Sequence, residues 1–161
     1  VEDYNQLVNN LPYITRKASE VYDLVFIDLP KGSEEKFKTD TLNDSEIVVC
    51  VVNQDETKLD EFFEKVEKQE ELKDKAKIYL IADYEDKSRY NVQNIKNKYR
   101  IKDPIFAVPH NYLFADACNI GNVVDFFYRN MNADPRDYNG EFISSVRGIV
   151  DKIFDLSKIR E

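Results

Sequence analysis

A three-layer α/β/α fold with a mostly parallel sheet is what this sequence predicts, and three observations predict it. Four short apolar runs recur along the chain, they are apolar without alternation, and segments of helical spacing fill the gaps between them. An unbroken apolar run of strand length suits a strand covered on both faces, as in a parallel sheet. Strands alternating with helices argue for βαβ units joined by right-handed crossovers.

The runs are Leu24-Val25-Phe26-Ile27, Ile47-Val48-Val49-Cys50-Val51-Val52, Ile78-Tyr79-Leu80-Ile81-Ala82 and Ile105-Phe106-Ala107-Val108. Ahead of the first run, Pro12 is placed as a first-turn proline, with Ile14, Ala18 and Val21 following on one face. Thr57 and Asp60 resemble a capping box before Leu59, Phe62, Phe63 and Val66. Val92, Ile95 and Tyr99 mark another helix, and Ala115, Cys118, Val123, Val124 and Phe127 a further one, broken near Gly121. Residues 132–161 read as a separate segment after 1–131. There Phe142, Val146, Ile149, Ile153 and Leu156 form the apolar stripe of a C-terminal helix, expected to pack on the domain or on a partner.

Composition narrows the class. The 161 residues are 42% hydrophobic and 34% charged, with only 4 glycines and 5 prolines, which fits a soluble globular domain and excludes fibrous or low-complexity chains. The net charge of -8 does not favour DNA, since phosphate contacts need a basic footprint. Lys87, Arg89, Lys96, Lys98, Arg100 and Lys102, with Tyr90 and Tyr99 interleaved, form the one basic cluster, either a nucleic-acid or partner surface or an ordinary charged helix. Acids balance bases on the C-terminal helix, so a membrane-surface role is not expected either. Cys50 and Cys118, both in apolar surroundings, are expected to be buried thiols in a reducing cytoplasm. One histidine and two distant cysteines cannot assemble a zinc site.

Ligands of open α/β sheets bind at the carboxyl ends of the strands. The first run ends in Asp28, a residue placed to hold a Mg²⁺-bound water or to order a nucleophilic one; a turn or cap role is the alternative. Gly32 follows, able to bring its amide close to a phosphate because no side chain intervenes.

The segment Tyr22-Asp23-Leu24-Val25-Phe26-Ile27-Asp28-Leu29-Pro30-Lys31-Gly32 resembles the Walker B strand and switch II of ParA/MinD-type ATPases. The polar stretch Asn43-Asp44-Ser45-Glu46 before a Val-rich run is similar to the strand that follows in that family. Ile105-Phe106-Ala107-Val108-Pro109-His110-Asn111, and then Phe114-Ala115-Asp116-Ala117, resemble the strand and loop that pass the adenine base. The likeness spans most of the chain, through the order and spacing of these pieces. It implies a P-loop NTPase-like domain whose N-terminal part is absent. Asp28 would serve catalysis and Mg²⁺, while Pro30, Gly32, Asp83, Pro109, His110 and Asn111 would line the nucleotide. It further implies Mg-ATP as cofactor in the complete protein, a homodimer, a stimulating protein partner and a role in partitioning or positioning.

Two departures limit the likeness. The glycine-rich Walker A loop is absent, so this chain alone is not expected to bind Mg-ATP productively or hydrolyse it. Where many relatives carry a base-reading Asn, the third run closes on Asp83. A non-catalytic α/β interaction module that has lost nucleotide binding is the alternative. A receiver-like domain is a third, but its order of acidic residues and late Lys is missing.

Overall fold

A computed structural model describes residues 2–29 and 32–157. Pro30 and Lys31, and residues 158–161 at the end of the tail, lie outside the described residues. The order is α1 (Glu2–Ser19), α2 (Glu35–Asp44), β1 (Ile47–Val52), α3 (Glu56–Lys68), β2 (Ala76–Tyr84), α4 (Val92–Lys98), β3 (Ile105–Pro109), α5 (Tyr112–Asn119), α6 (Val123–Asn130) and α7 (Tyr138–Ser157).

Among the described residues, β1, β2 and β3 form one parallel open sheet in that order, with Val49 opposite Ile78 and Leu80 opposite Phe106. Alternation of the pleat sends successive side chains to opposite faces. Cys50, Tyr79 and Ile81 turn toward α3 and α4, where they pack with Leu59, Ile95 and Ile101. Ile78 turns to the other face, against Ile149 and Ile153 of α7, with Leu80, Phe106 and Val108 alongside. Both crossover helices thus lie on one face, as right-handed connections require when strand order advances in one direction. α5, α6 and the start of α7 form a third cluster of Ala117, Phe126, Phe142 and Ile143, against which Val108 also packs. Helices on both faces make the predicted layering visible in the middle of the chain.

The start of the chain departs from expectation. The run Leu24–Ile27 is not a strand: residues 24–29 make no ladder, Val25 and Phe26 are exposed, and only Leu24 packs against the α7-side core. A double-sided strand needs a hydrogen-bonded neighbour, and among the described residues this run has none. Nor, among the described residues, does any backbone bond reach the outer edge of β1, whose Val51 stays 63% exposed.

Helix boundaries shift for local reasons. Pro12 lies inside α1 rather than at its start; a proline there removes one backbone donor. The cap of α3 lies two residues before the Thr57 expected to provide it. Asp55 is the N-cap, accepting a hydrogen bond from the Lys58 amide at 2.9 Å, and the Asp side chain is the better-placed acceptor. α2 carries no apolar stripe that would announce it, and only Thr41 and Leu42 are buried in it. The break near Gly121 is where α5 gives way to α6, with Gly121 at φ +70°. α7 starts at Tyr138, and Gly140 lets its first turn lie against the Asp134 carbonyl, where a Cβ has no room.

Cys50 is buried, as expected, but Cys118 is exposed. On α5 the inward position is Ala117, and the next residue points away. Burial pushes the Cys50 thiol up to about 11, Lys77 pulling it down and Asp103 adding to the rise. Since the thiolate is the reactive form, native protein at mildly alkaline pH should titrate one thiol with a disulfide reagent, and urea-unfolded protein two. Two fast thiols in the native state would contradict this packing.

Candidate functional site at the carboxyl edge of the sheet

The carboxyl ends of β2 and β3 bring together three of the residues expected at a ligand edge. The β2–β3 ladder shifts register between Ile81 and Tyr84, where Tyr84 comes opposite Pro109. Asp83 occupies that irregularity at φ +50°, in the left-handed region that Asp tolerates better than most residues. The kink places its carboxylate beside the loop after β3, so that Oδ1 lies 3.1 Å from Nδ1 of His110. Both side chains are exposed, at 80% and 63%, and an ion pair this open is worth little to stability. Its interest is chemical: a carboxylate and an imidazole stand side by side at the edge where open sheets take ligands.

The rest of the loop is held rigidly. Asn111, 5% exposed, caps α5 by accepting a hydrogen bond from the Phe114 amide at 2.8 Å, and donates its own Nδ2 to Asn139 at 3.0 Å. With both ends engaged, Asn111 positions the loop and has little left to offer a base. Tyr138, at the start of α7, donates its hydroxyl to the His110 carbonyl at 3.1 Å and accepts from the Tyr112 amide at 2.8 Å. The Tyr112 and Tyr138 rings stack with centroids 5.1 Å apart, both partly open to solvent. On the other side, Gln54, just after β1, fixes the loop after β2. Its Nε2 donates to the Glu85 and Tyr90 carbonyls, and its Oε1 accepts from the Glu85 amide at 2.7 Å.

Gln54, Tyr112 and Tyr138 were not foreseen as part of this edge. Its place in the polar stretch that follows an apolar run was the available signal for Gln54. For Tyr138 there was none, because its partner is 28 residues away.

The residues expected at the phosphate end are placed differently. Asp28 is exposed on the extended segment, and among the described residues it makes no hydrogen bond or ion pair. Gly32 has φ +93° and open space on all sides of a would-be Cβ. Neither is joined by any contact to Asp83 or His110 among the described residues, and Pro30 lies outside them. No group of three or more His, Cys, Asp or Glu among the described residues is gathered as a metal site.

Within the basic cluster, Lys98 is neutralised. Lys98 bonds Glu56 and Asp60, each at 2.9 Å, and its ammonium sits over the rings of Tyr90 and Tyr99. Tyr99 also donates to Asp60 at 2.7 Å and stacks on Phe63. The cleft beside them, about 600 Å³, is lined by acids as well as bases, among them Glu64, Glu67 and Asp103. It opens beside the α4–β3 connection, at the amino ends of the strands, away from the edge that carries Asp83 and His110.

No protein-family model, no curated protein and no solved structure matches this chain. No helix among the described residues is long and apolar enough to cross a membrane.

The Lys98 network gives a pH signature. Hydrogen bonds from Lys98 and then Tyr90 hold Glu56 below the usual carboxylate range, and those from Tyr99 and then Lys98 do the same for Asp60. Depressed carboxylates contribute stability above their unfolded values and lose it as pH falls through the folded ones. Lys98, raised mainly by Glu56, contributes below its unfolded value and loses it as pH rises through the folded one. Urea midpoints of Lys98→Met should therefore lie below the parent's at about pH 7 and approach it as pH falls through the depressed range of Glu56 and Asp60. A gap that persists in acid would show the side chain acting through packing alone.

Proposed function

We propose that this chain is the base-side portion of a ParA/MinD-type ATPase, a nucleotide-dependent switch in plasmid or chromosome partitioning or in positioning a cellular assembly. The observation that carries the reading is the meeting of Asp83 and His110 at the carboxyl edge of two adjacent parallel strands. It supports the motif order read from the sequence, in which the loop after β3 borders the base. There His110 and Asp83 offer a donor–acceptor pair to a heterocycle edge, the exposed tyrosine pair offers a flat aromatic surface, and Asn111 and Gln54 hold the two loops in place.

The phosphate side does not fit Mg-ATP with these residues alone. Asp28 stands without a second oxygen ligand among the described residues, and Gly32 contributes one backbone amide, where a phosphate cradle needs several donors converging. No catalytic step is assigned to this chain. In this reading the missing donors come from a glycine-rich loop outside the sequence, and the chain by itself does not hydrolyse ATP. The alternative, an α/β interaction module without nucleotide chemistry, is favoured by the wide exposed apolar face of α6.

The test uses protein that carries the glycine-rich loop this reading requires. Mg-dependent ATP hydrolysis is expected, and Asp28→Ala should reduce it by about 100-fold or more, as loss of a group acting in the transition state does. Turnover near the parent rate in that variant would remove Asp28 from the switch. Absence of any nucleotide binding in the parent would leave the interaction module.

A further inference from the structure

Helix α6 is apolar around more than half of its circumference. Phe126 is 7% exposed in the core, with Val123 and Phe127 half-buried beside it, which is the single stripe a surface helix lends to its domain. A second stripe faces away. Val124, Tyr128 and Met131, spaced i, i+4 and i+7, are 84%, 75% and 49% exposed, and Ile120 on the preceding turn is 75% exposed. Four such side chains present on the order of 500 Å² of mostly apolar surface, at the upper end of what monomers leave open. With its polar rim the face approaches the ~800 Å² per partner of a stable complex.

The rim says what fits there. Asp125 and Arg129 lie together on one flank of the stripe, Nε to Oδ2 2.8 Å, and both reach solvent. When a helix meets its own copy across a two-fold axis perpendicular to it, the two run antiparallel, and residue i faces j while j faces i. Centred between positions 124 and 128, such packing sets Val124 against Tyr128 of the second copy. On the flank it leaves Asp125 and Arg129 of the second copy about 3 Å out of register along the axis, within reach of a long arginine side chain. The face is complementary to itself in shape of stripe and in sign of charge.

We propose that α6 is a self-association surface, through which two copies of this chain pack antiparallel. The proposal does not rest on nucleotide binding and is tested without nucleotide. Sedimentation equilibrium of the 161-residue chain should show a dimer at about 10–100 μM. Val124→Lys with Tyr128→Lys should leave a monomer with unchanged circular dichroism and melting temperature, since both side chains are exposed in the single copy. Asp125→Arg and Arg129→Asp should each weaken the dimer, while an equal mixture of these two variants should associate about tenfold more tightly than either alone. A monomer throughout that range, a dimer indifferent to the two lysines, or a mixture no tighter than its components would each overturn the proposal.

Discussion

Everything in this fold leans on β2. It is the only strand among the described residues with a hydrogen-bonded neighbour on each side, and its side chains feed two cores at once. Tyr79 and Ile81 seat the α3–α4 layer and Ile78 seats α7, with Ile78 and Ile81 wholly inaccessible to water. Burial on both faces and pairing on both edges leave this strand no alternative register, because a slip of one residue would exchange the two cores. Where the ladder finally breaks, at Asp83, the break turns the strand end toward the loop after β3. The candidate site is thus a consequence of where the central strand stops pairing.

The cover on the sheet is uneven, and the unevenness separates structural from interactive surface. The α3–α4 face is closed by aromatic contacts among Phe62, Phe63, Tyr79 and Tyr99. On the α7 face, closure is good over β2 and β3 and poor over β1, where Val49 and Val51 remain open beside the unpaired edge. Natural sheets ordinarily guard such edges with charge, proline or cover, yet β1 is Ile-Val-Val-Cys-Val-Val throughout.

What was legible in the sequence follows from how local each signal is. The runs that became β1, β2 and β3 were readable because a strand buried on both faces is apolar at every position, whatever its neighbours. The run 24–27 carries the same signal, but pairing needs a second strand, and composition cannot report one. Helix centres were readable from spacing, whereas Asp55 displaced the expected cap of α3, Pro12 failed to mark a helix start, and α2 lacked a stripe to be seen by. At the edge, Asp83, Pro109 and His110 were named through the family resemblance, and the structure brings Asp83 and His110 together there. Asn111 was named with them, and the structure engages its amide in capping and in the bond to Asn139. Tyr138 could not have been found at all, because only the packing of α7 brings it to the edge.

The most direct measurement of the nucleotide reading is a chemical-shift titration with Mg-ATP of isotopically labelled protein that carries the glycine-rich loop this reading requires, taken to about 10 mM to reach weak affinities. Shifts concentrated at Asp83, His110, Tyr112 and the neighbouring Gln54 loop are the expected result, with the α3–α4 cleft unmoved. Shifts confined to that cleft, or none at the β2–β3 edge, would contradict the assignment of this edge to a nucleotide base.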